Sequence, residues 1–130
     1  HNGEKLLGIS LLDAYTVAGD KRFIGNVTVH TDLVQPNTLV GFENHSGLTY
    51  LQGKTESIGQ VVIGHGNNGQ DKSEGARYKN VFGTYLHGSF LPKNPQFADY
   101  LIELALGSKP EPLDDTIENA AHDALINKKY

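Results

Sequence analysis

The sequence predicts an α/β fold in which strands come first and two helices come last. Two observations carry this reading. Short apolar, β-branched runs separated by glycines and polar turns fill residues 6–88. From residue 94 onward the apolar residues recur at helical spacing instead. With 130 residues and 38% hydrophobic content, the chain suits a single domain with one core. That domain is expected to be strand-rich over 6–88 and helical over 94–130.

The elements follow in order. Phe23 to His30 alternate, with Phe23, Gly25, Val27 and Val29 on one side and Ile24, Asn26, Thr28 and His30 on the other. Thr38 to Phe42 reads as a second strand and Thr49 to Leu51 as a short third. Gly59 to Ile63 is continuous and β-branched, the pattern of a buried strand. Tyr78 to Leu86 contains a further strand that ends at His87. Asn94 then stands as an N-cap before Pro95 at the first helical position. Phe97, Leu101, Leu104 and Ala105 make the helix stripe, and Gly107 stops it. A linker over 108–112 leads to a last helix capped by Asp114 or Asp115. Its stripe is Leu113, Ile117, Ala120, Ala121, Ala124 and Leu125, with Lys128 and Lys129 at the negative end of the dipole.

A doubly wound fold opens with βαβ units. None is visible here, so the domain reads as lacking its N-terminal half. His1 in place of Met points the same way, to a processed or excised piece. Such a piece exposes sheet surface, for which a partner chain, the missing half or a second copy of the chain is the expected cover.

Composition excludes several classes. The net charge is −4 and the basic residues are scattered, against the clustered Lys and Arg that phosphate neutralisation needs. No apolar run approaches the roughly 18 residues of a spanning helix, and no signal peptide is visible. The chain has no Cys, which suits the cytoplasm. It also removes disulfides, thiolate metal sites and a cysteine nucleophile within these residues. The histidines at 1, 30, 45, 65, 87 and 122 show no metal-ligand spacing, so no metal is expected.

Four constellations carry chemistry. In Gly83-Thr84-Tyr85-Leu86-His87-Gly88 a histidine ends an apolar strand beside a glycine. That placement suits a general base, and equally an ordinary strand-end histidine. Gly41-Phe42-Glu43-Asn44-His45-Ser46-Gly47 gathers polar side chains between glycines, as a ligand loop or a polar turn would. Gly64-His65-Gly66-Asn67-Asn68-Gly69-Gln70-Asp71 lacks the phosphate-loop lysine and reads as a flexible hairpin loop. Arg22 opens the first clear strand, where it can grip a carboxylate or lie solvated at the surface.

Read together, R-F-I-G-N (22–26), G-F-E-N-H-x-G-x-T (41–49), G-N-N-G-x-D-K-x-E-G (66–75), Y-K-N-V-F-G-T-Y-L-H-G (78–88) and L-P-K-N-P (91–95) come in one order. This set resembles the cobyric-acid-synthase-type class I glutamine amidotransferases, over residues 6 to 106. Phe42 and Asn44, in place of the Tyr and Ile typical of cobyric acid synthase, favour the cell-wall branch, the glutaminase subunits of lipid II isoglutaminyl synthase. The resemblance implies the C-terminal portion of a class I glutamine amidotransferase domain, flavodoxin-like in fold. It implies glutamine hydrolysis through a cysteine thioester, with the cysteine upstream of His1. It implies a Mur-type ligase partner that uses ATP and Mg with the released ammonia to amidate lipid II, and no cofactor in this domain. His87 matches the catalytic histidine and Arg22 a glutamine-holding arginine, while Asn44 and His45 fall beside the bound glutamine. The residue two beyond His87 is Ser89, so no His-x-Glu pair orients the imidazole. A cobalamin-pathway amidase and a non-catalytic interaction module are the competing readings.

Overall fold

The computed structural model describes residues 4–127. Its main sheet has four antiparallel strands in the order β2-β1-β3-β4: β1 Ala14–His30, β2 Thr38–Leu51, β3 Gly59–Ile63 and β4 Ser73–Glu74. A second, two-stranded sheet pairs β5 Ala76–Tyr78 with β6 Val81–Gly83. A 3-10 turn over Leu91–Lys93 leads into α1 Pro95–Leu106, and α2 Thr116–Ile126 follows. The class is α/β, as expected, and the sheets are antiparallel. Among the described residues no helix is long and apolar enough to cross a membrane.

β1 and β2 form a long hairpin whose alternation decides what is buried. Val27 pairs with Gly41 and Val29 with Leu39, and Val27, Val29 and Leu39 are buried. With Val34, Ile58, Leu86 and Phe97 they make the core. Helix α1 closes that core by inserting Phe97, whose ring meets Phe82 edge-on at 5.9 Å. Gly107, at φ 72°, ends the helix in the left-handed conformation and donates its N–H to the Glu103 carbonyl.

Several elements differ from their expected form. The second and third strands are one strand, β2, because the polar stretch Glu43 to His45 stays in the ladder opposite β1. Hydrophobicity lapses there, but backbone pairing does not. β3 is not buried: Val62 is 65% exposed and Ile63 47%. Tyr78 to Leu86 contains a strand, β6, as expected, but it ends at Gly83 and not at His87. Lys79, at φ 53°, turns the chain between β5 and β6. The last helix buries little beyond His122, whose Nδ1–H donates to the Lys93 carbonyl at 2.7 Å. Its expected stripe faces solvent, with Ile117 80% exposed. Asp115 holds the N-cap position without a side-chain bond, while Asp114 accepts the Thr116 N–H at 3.1 Å. Lys128 and Lys129 lie outside the described residues.

Asn94 is also redirected. It precedes α1, but its side chain makes no cap bond. Instead, fully buried, it completes the free edge of β2. Its Oδ1 accepts the Val40 N–H and its Nδ2 donates to the Val40 carbonyl, both at 2.8 Å. One amide side chain thus does what another strand would do there. Replacing Asn94 with Leu leaves both Val40 backbone groups buried and unpaired. The expected loss is roughly 3 kcal/mol by urea denaturation; a loss under about 0.5 kcal/mol would contradict the edge-completing role.

Glu74 is buried in the fold. Burial pushes its carboxyl above the usual value of 4.5, hydrogen bonds from Thr84 and Tyr85 pull against this, and the nearby Glu43 carboxylate adds to the rise. A raised folded-state value means the native state holds this proton longer than the unfolded chain does. Glu74 therefore stabilises most below pH 4.5, and that contribution declines as pH rises through the folded-state value. The stability difference between Glu74→Gln and the parent chain should shift in favour of Gln as pH climbs from 4 to 8. Paired denaturation curves measure it, and a pH-independent difference contradicts it.

Candidate functional site

In an antiparallel ladder, residues directly opposite each other point to the same face. Asn44 pairs with Ile24 and Phe42 with Asn26, so these four share one face of the hairpin. Glu43, His45 and Gly41 stand on the other, with Gly25, Phe23 and Val27. His87 joins β2 through an isolated bridge to Phe42: His87 N donates to the Phe42 carbonyl at 2.7 Å and Phe42 N to the His87 carbonyl at 3.2 Å. The imidazole is therefore on the Phe42 and Asn44 face, and His87 is exposed. It does not end a continuous strand, as expected. It sits on a short extended segment laid along the β2 edge.

The preceding residue fixes that segment. Leu86 is buried on the core face, directly over Gly41. A Cβ at position 41 would stand 2.8 Å from the Leu86 Cβ, closer than packed carbons come. Gly41 thus lets the His87 segment approach β2 closely enough to form both bridge bonds.

Arg22 reaches the same face by a different route. The register of β1 against β2 shifts between Ala18 and Phe23, leaving Gly19 to Arg22 opposite Ser46. Such a bulge re-aims side chains. Here Arg22 Nε donates to Asn44 Oδ1 at 2.7 Å. Arg22 and Asn44 form one exposed polar pair, and Asn44 lies two residues along β2 from the strand position that holds His87.

His45 is not brought to this pair. It points to the opposite face and is 9% exposed. Its ring stacks on Tyr85 at 3.7 Å, its Nδ1–H donates to the Gly47 carbonyl at 2.9 Å, and its Nε2 has no partner among the described residues. Phe23 meets His45 edge-on at 5.5 Å and stacks on His65 at 4.2 Å. Strand alternation alone separates Asn44 from His45, which a loop reading of residues 41–47 hides.

Sequence reasoning missed Glu43 as an anchor. Its carboxylate is 1% exposed, lies 2.6 Å from His65 Nδ1, and accepts the backbone N–H groups of His65 and Gly66 at 3.0–3.1 Å. A buried carboxylate persists when its oxygens are satisfied in this way. Asn67 and Asn68 complete the loop. Asn67 donates to the Gly75 carbonyl and accepts the Gly75 N–H, and Asn68 donates to the Thr49 carbonyl. The segment over 64–71 is therefore a cross-linked hairpin loop whose Asn67 and Asn68 side chains face inward. The usable signal was its two adjacent asparagines between glycines.

A cleft of about 260 Å³ beside Asp13, Lys54 and Tyr78, and another of about 190 Å³ beside His65, Gln70 and Lys72, both lie away from Arg22, Asn44 and His87. The chemistry-bearing residues occupy an open sheet face instead. Among the described residues, no group of three or more His, Asp or Glu side chains is placed to hold a metal ion.

Known proteins show which family the sequence resembles. The chain is 42% identical over 132 aligned positions to the lipid II isoglutaminyl synthase (glutamine-hydrolyzing) subunit GatD of Staphylococcus aureus (strain N315), covering 98% of this chain and 53% of that protein. It is 40% identical to the subunit of the same name from Streptococcus pneumoniae (strain ATCC BAA-255 / R6), covering 83% of this chain and 42% of that protein. The chain spans about half the length of the curated relatives it matches. Residues 1–95 match the profile of the CobB/CobQ-like glutamine amidotransferase domain, and the chain belongs to that family.

Proposed function

We propose that these residues supply the histidine-bearing part of a glutaminase that delivers ammonia for amidation of lipid II. The observation that supports this most is the gathering of His87, Asn44 and Arg22 on one sheet face. It is a base beside a guanidinium–amide pair suited to an amino acid's charged groups. The names of the similar proteins supply the substrate class, glutamine, and the acceptor, lipid II.

In this reading the nucleophile is a thiol outside these 130 residues, since the chain has no Cys. His87 takes the thiol proton, and the thiolate attacks the side-chain carbonyl carbon of glutamine. As the tetrahedral species collapses, the imidazolium returns the proton to the departing nitrogen, which leaves as ammonia. Water then cleaves the thioester to glutamate. Arg22 and Asn44 hold the glutamine α-carboxylate and α-amino group, while His45 supports β2 from beneath rather than touching substrate. The ammonia passes to a Mur-type ligase that binds ATP and Mg, and the histidine-bearing domain itself carries no cofactor. The whole domain is flavodoxin-like and cytoplasmic, with the open face of β1 and β2 covered by the part that carries the thiol.

In the complete glutamine-hydrolysing protein with its ligase, His87→Ala should lower kcat by at least about 10³-fold. Arg22→Ala should chiefly raise KM, by about tenfold or more. The 130 residues alone should release no ammonia from glutamine. Ammonia-release assays decide this: a His87→Ala enzyme that keeps its kcat, or turnover by the 130 residues alone, would overturn the assignment.

A further inference from the structure

The His87 segment, residues 84–87, belongs to none of the six strands, although His87 and Phe42 form a bridge. Something other than a ladder must hold its N-terminal side. Glu74 does so from beneath. Its Oε1 accepts the Thr84 hydroxyl at 2.6 Å and the Tyr85 N–H at 3.0 Å. The Thr84 Oγ in turn accepts the Leu86 N–H at 2.9 Å. The next N–H, that of His87, goes to Phe42. Hydrogen bonds thus relay from the buried Glu74 through Thr84 to the Leu86 N–H, and the backbone of the next residue, His87, is fixed by its own bonds to Phe42.

The corner itself is rigid. Gly75, at φ 67°, lets the chain turn where a Cβ would stand 2.8 Å from the Gly83 carbonyl and 2.6 Å from Ile58. Both Gly75 backbone groups are bonded to the Asn67 amide. A carboxyl group in such a place, 1% exposed, is costly to desolvate. Its second oxygen, Oε2, has no hydrogen-bond partner among the described residues. Among the described residues no cation pairs with it, and the clear gain is the pair of donors from residues 84 and 85.

We infer that Glu74 is a positioning residue for His87, holding the 84–87 segment at the depth that lets its imidazole face the substrate side. The inference rests on the reading of His87 as the catalytic base. Oε1 does the holding, so an amide serves as well as a carboxylate, and a hydrocarbon does not. Asn44 and Arg22 stand on β2 and β1, outside the relay, so glutamine binding is left alone.

The test uses the complete glutamine-hydrolysing protein. Glu74→Leu should lower kcat about 10- to 100-fold, the scale of a misplacement near 1 Å, with KM within about twofold. Glu74→Gln should stay within about threefold of the parent kcat. Thr84→Val, a milder cut in the same relay, should lower kcat by roughly fivefold. In parallel, amide hydrogen exchange should show the His87 N–H losing protection in Glu74→Leu while Val27 and Val29 keep theirs. Parent-like kcat and His87 protection in Glu74→Leu would overturn the inference. So would a uniform loss of protection across the sheet, or a rise in KM at constant kcat. If Glu74→Leu does not fold, unchanged kcat and exchange in Thr84→Val overturn it instead. Should His87→Ala retain activity, the catalytic reading fails, and the exchange measurement still decides the tether.

Discussion

Where each side chain stands in this domain follows from the pairing of β1 with β2. The period of a strand is two, so the register that seats Val27 against Gly41 also decides that Glu43 and His45 face inward and that Phe42 and Asn44 face outward. The bridge from His87 to Phe42 extends that decision to a segment outside the sheet. A slip of one residue would bury Asn44 and expose Glu43. The inward interactions of Glu43 and His45 therefore support the proposed site without touching it, because they hold the register that aims its residues.

The inward face is unusual in how it is filled. Next to the aliphatic cluster around Val29 and Phe97 lies a layer of Phe23, His45, His65 and Tyr85 rings with two buried carboxylates, Glu43 and Glu74. Such groups are costly to bury, and each is matched by backbone N–H donors of neighbouring loops. In exchange they fix loops over 64–75 and 84–87 that have too few apolar residues to pack by themselves. Asn94 applies the same device to the β2 edge. Polar side chains thus replace missing strands and missing core, at three separate places.

Much of this was legible in the sequence, and the failures are instructive. The alternation of Phe23 to His30 predicts the buried Val27 and Val29, and Gly107 predicts the end of α1. The motif order predicts the family. Reading Gly41 to Gly47 as a loop failed because polarity was taken for irregularity, when an inward polar layer keeps strand alternation with polar residues. Asn94 holds the N-cap position as expected, but its side chain serves the β2 edge instead of the helix end, a choice made by tertiary contact. Gly59 to Ile63 looked buried because β-branched residues suit any strand, whichever face is covered. The stripe on α2 is apolar yet largely exposed, because the helix is held through His122 and not through its apolar face.

Which face of β2 receives the thiol decides the proposed role of His87. A structure of the complete protein with a glutamine analogue bound covalently to its nucleophilic cysteine measures this directly. The account predicts that Sγ lies within about 4 Å of the His87 imidazole, over Phe42 and Asn44, with the analogue's α-carboxylate at Arg22. A cysteine on the His45 and Tyr85 side of the sheet, or one out of reach of His87, would contradict it.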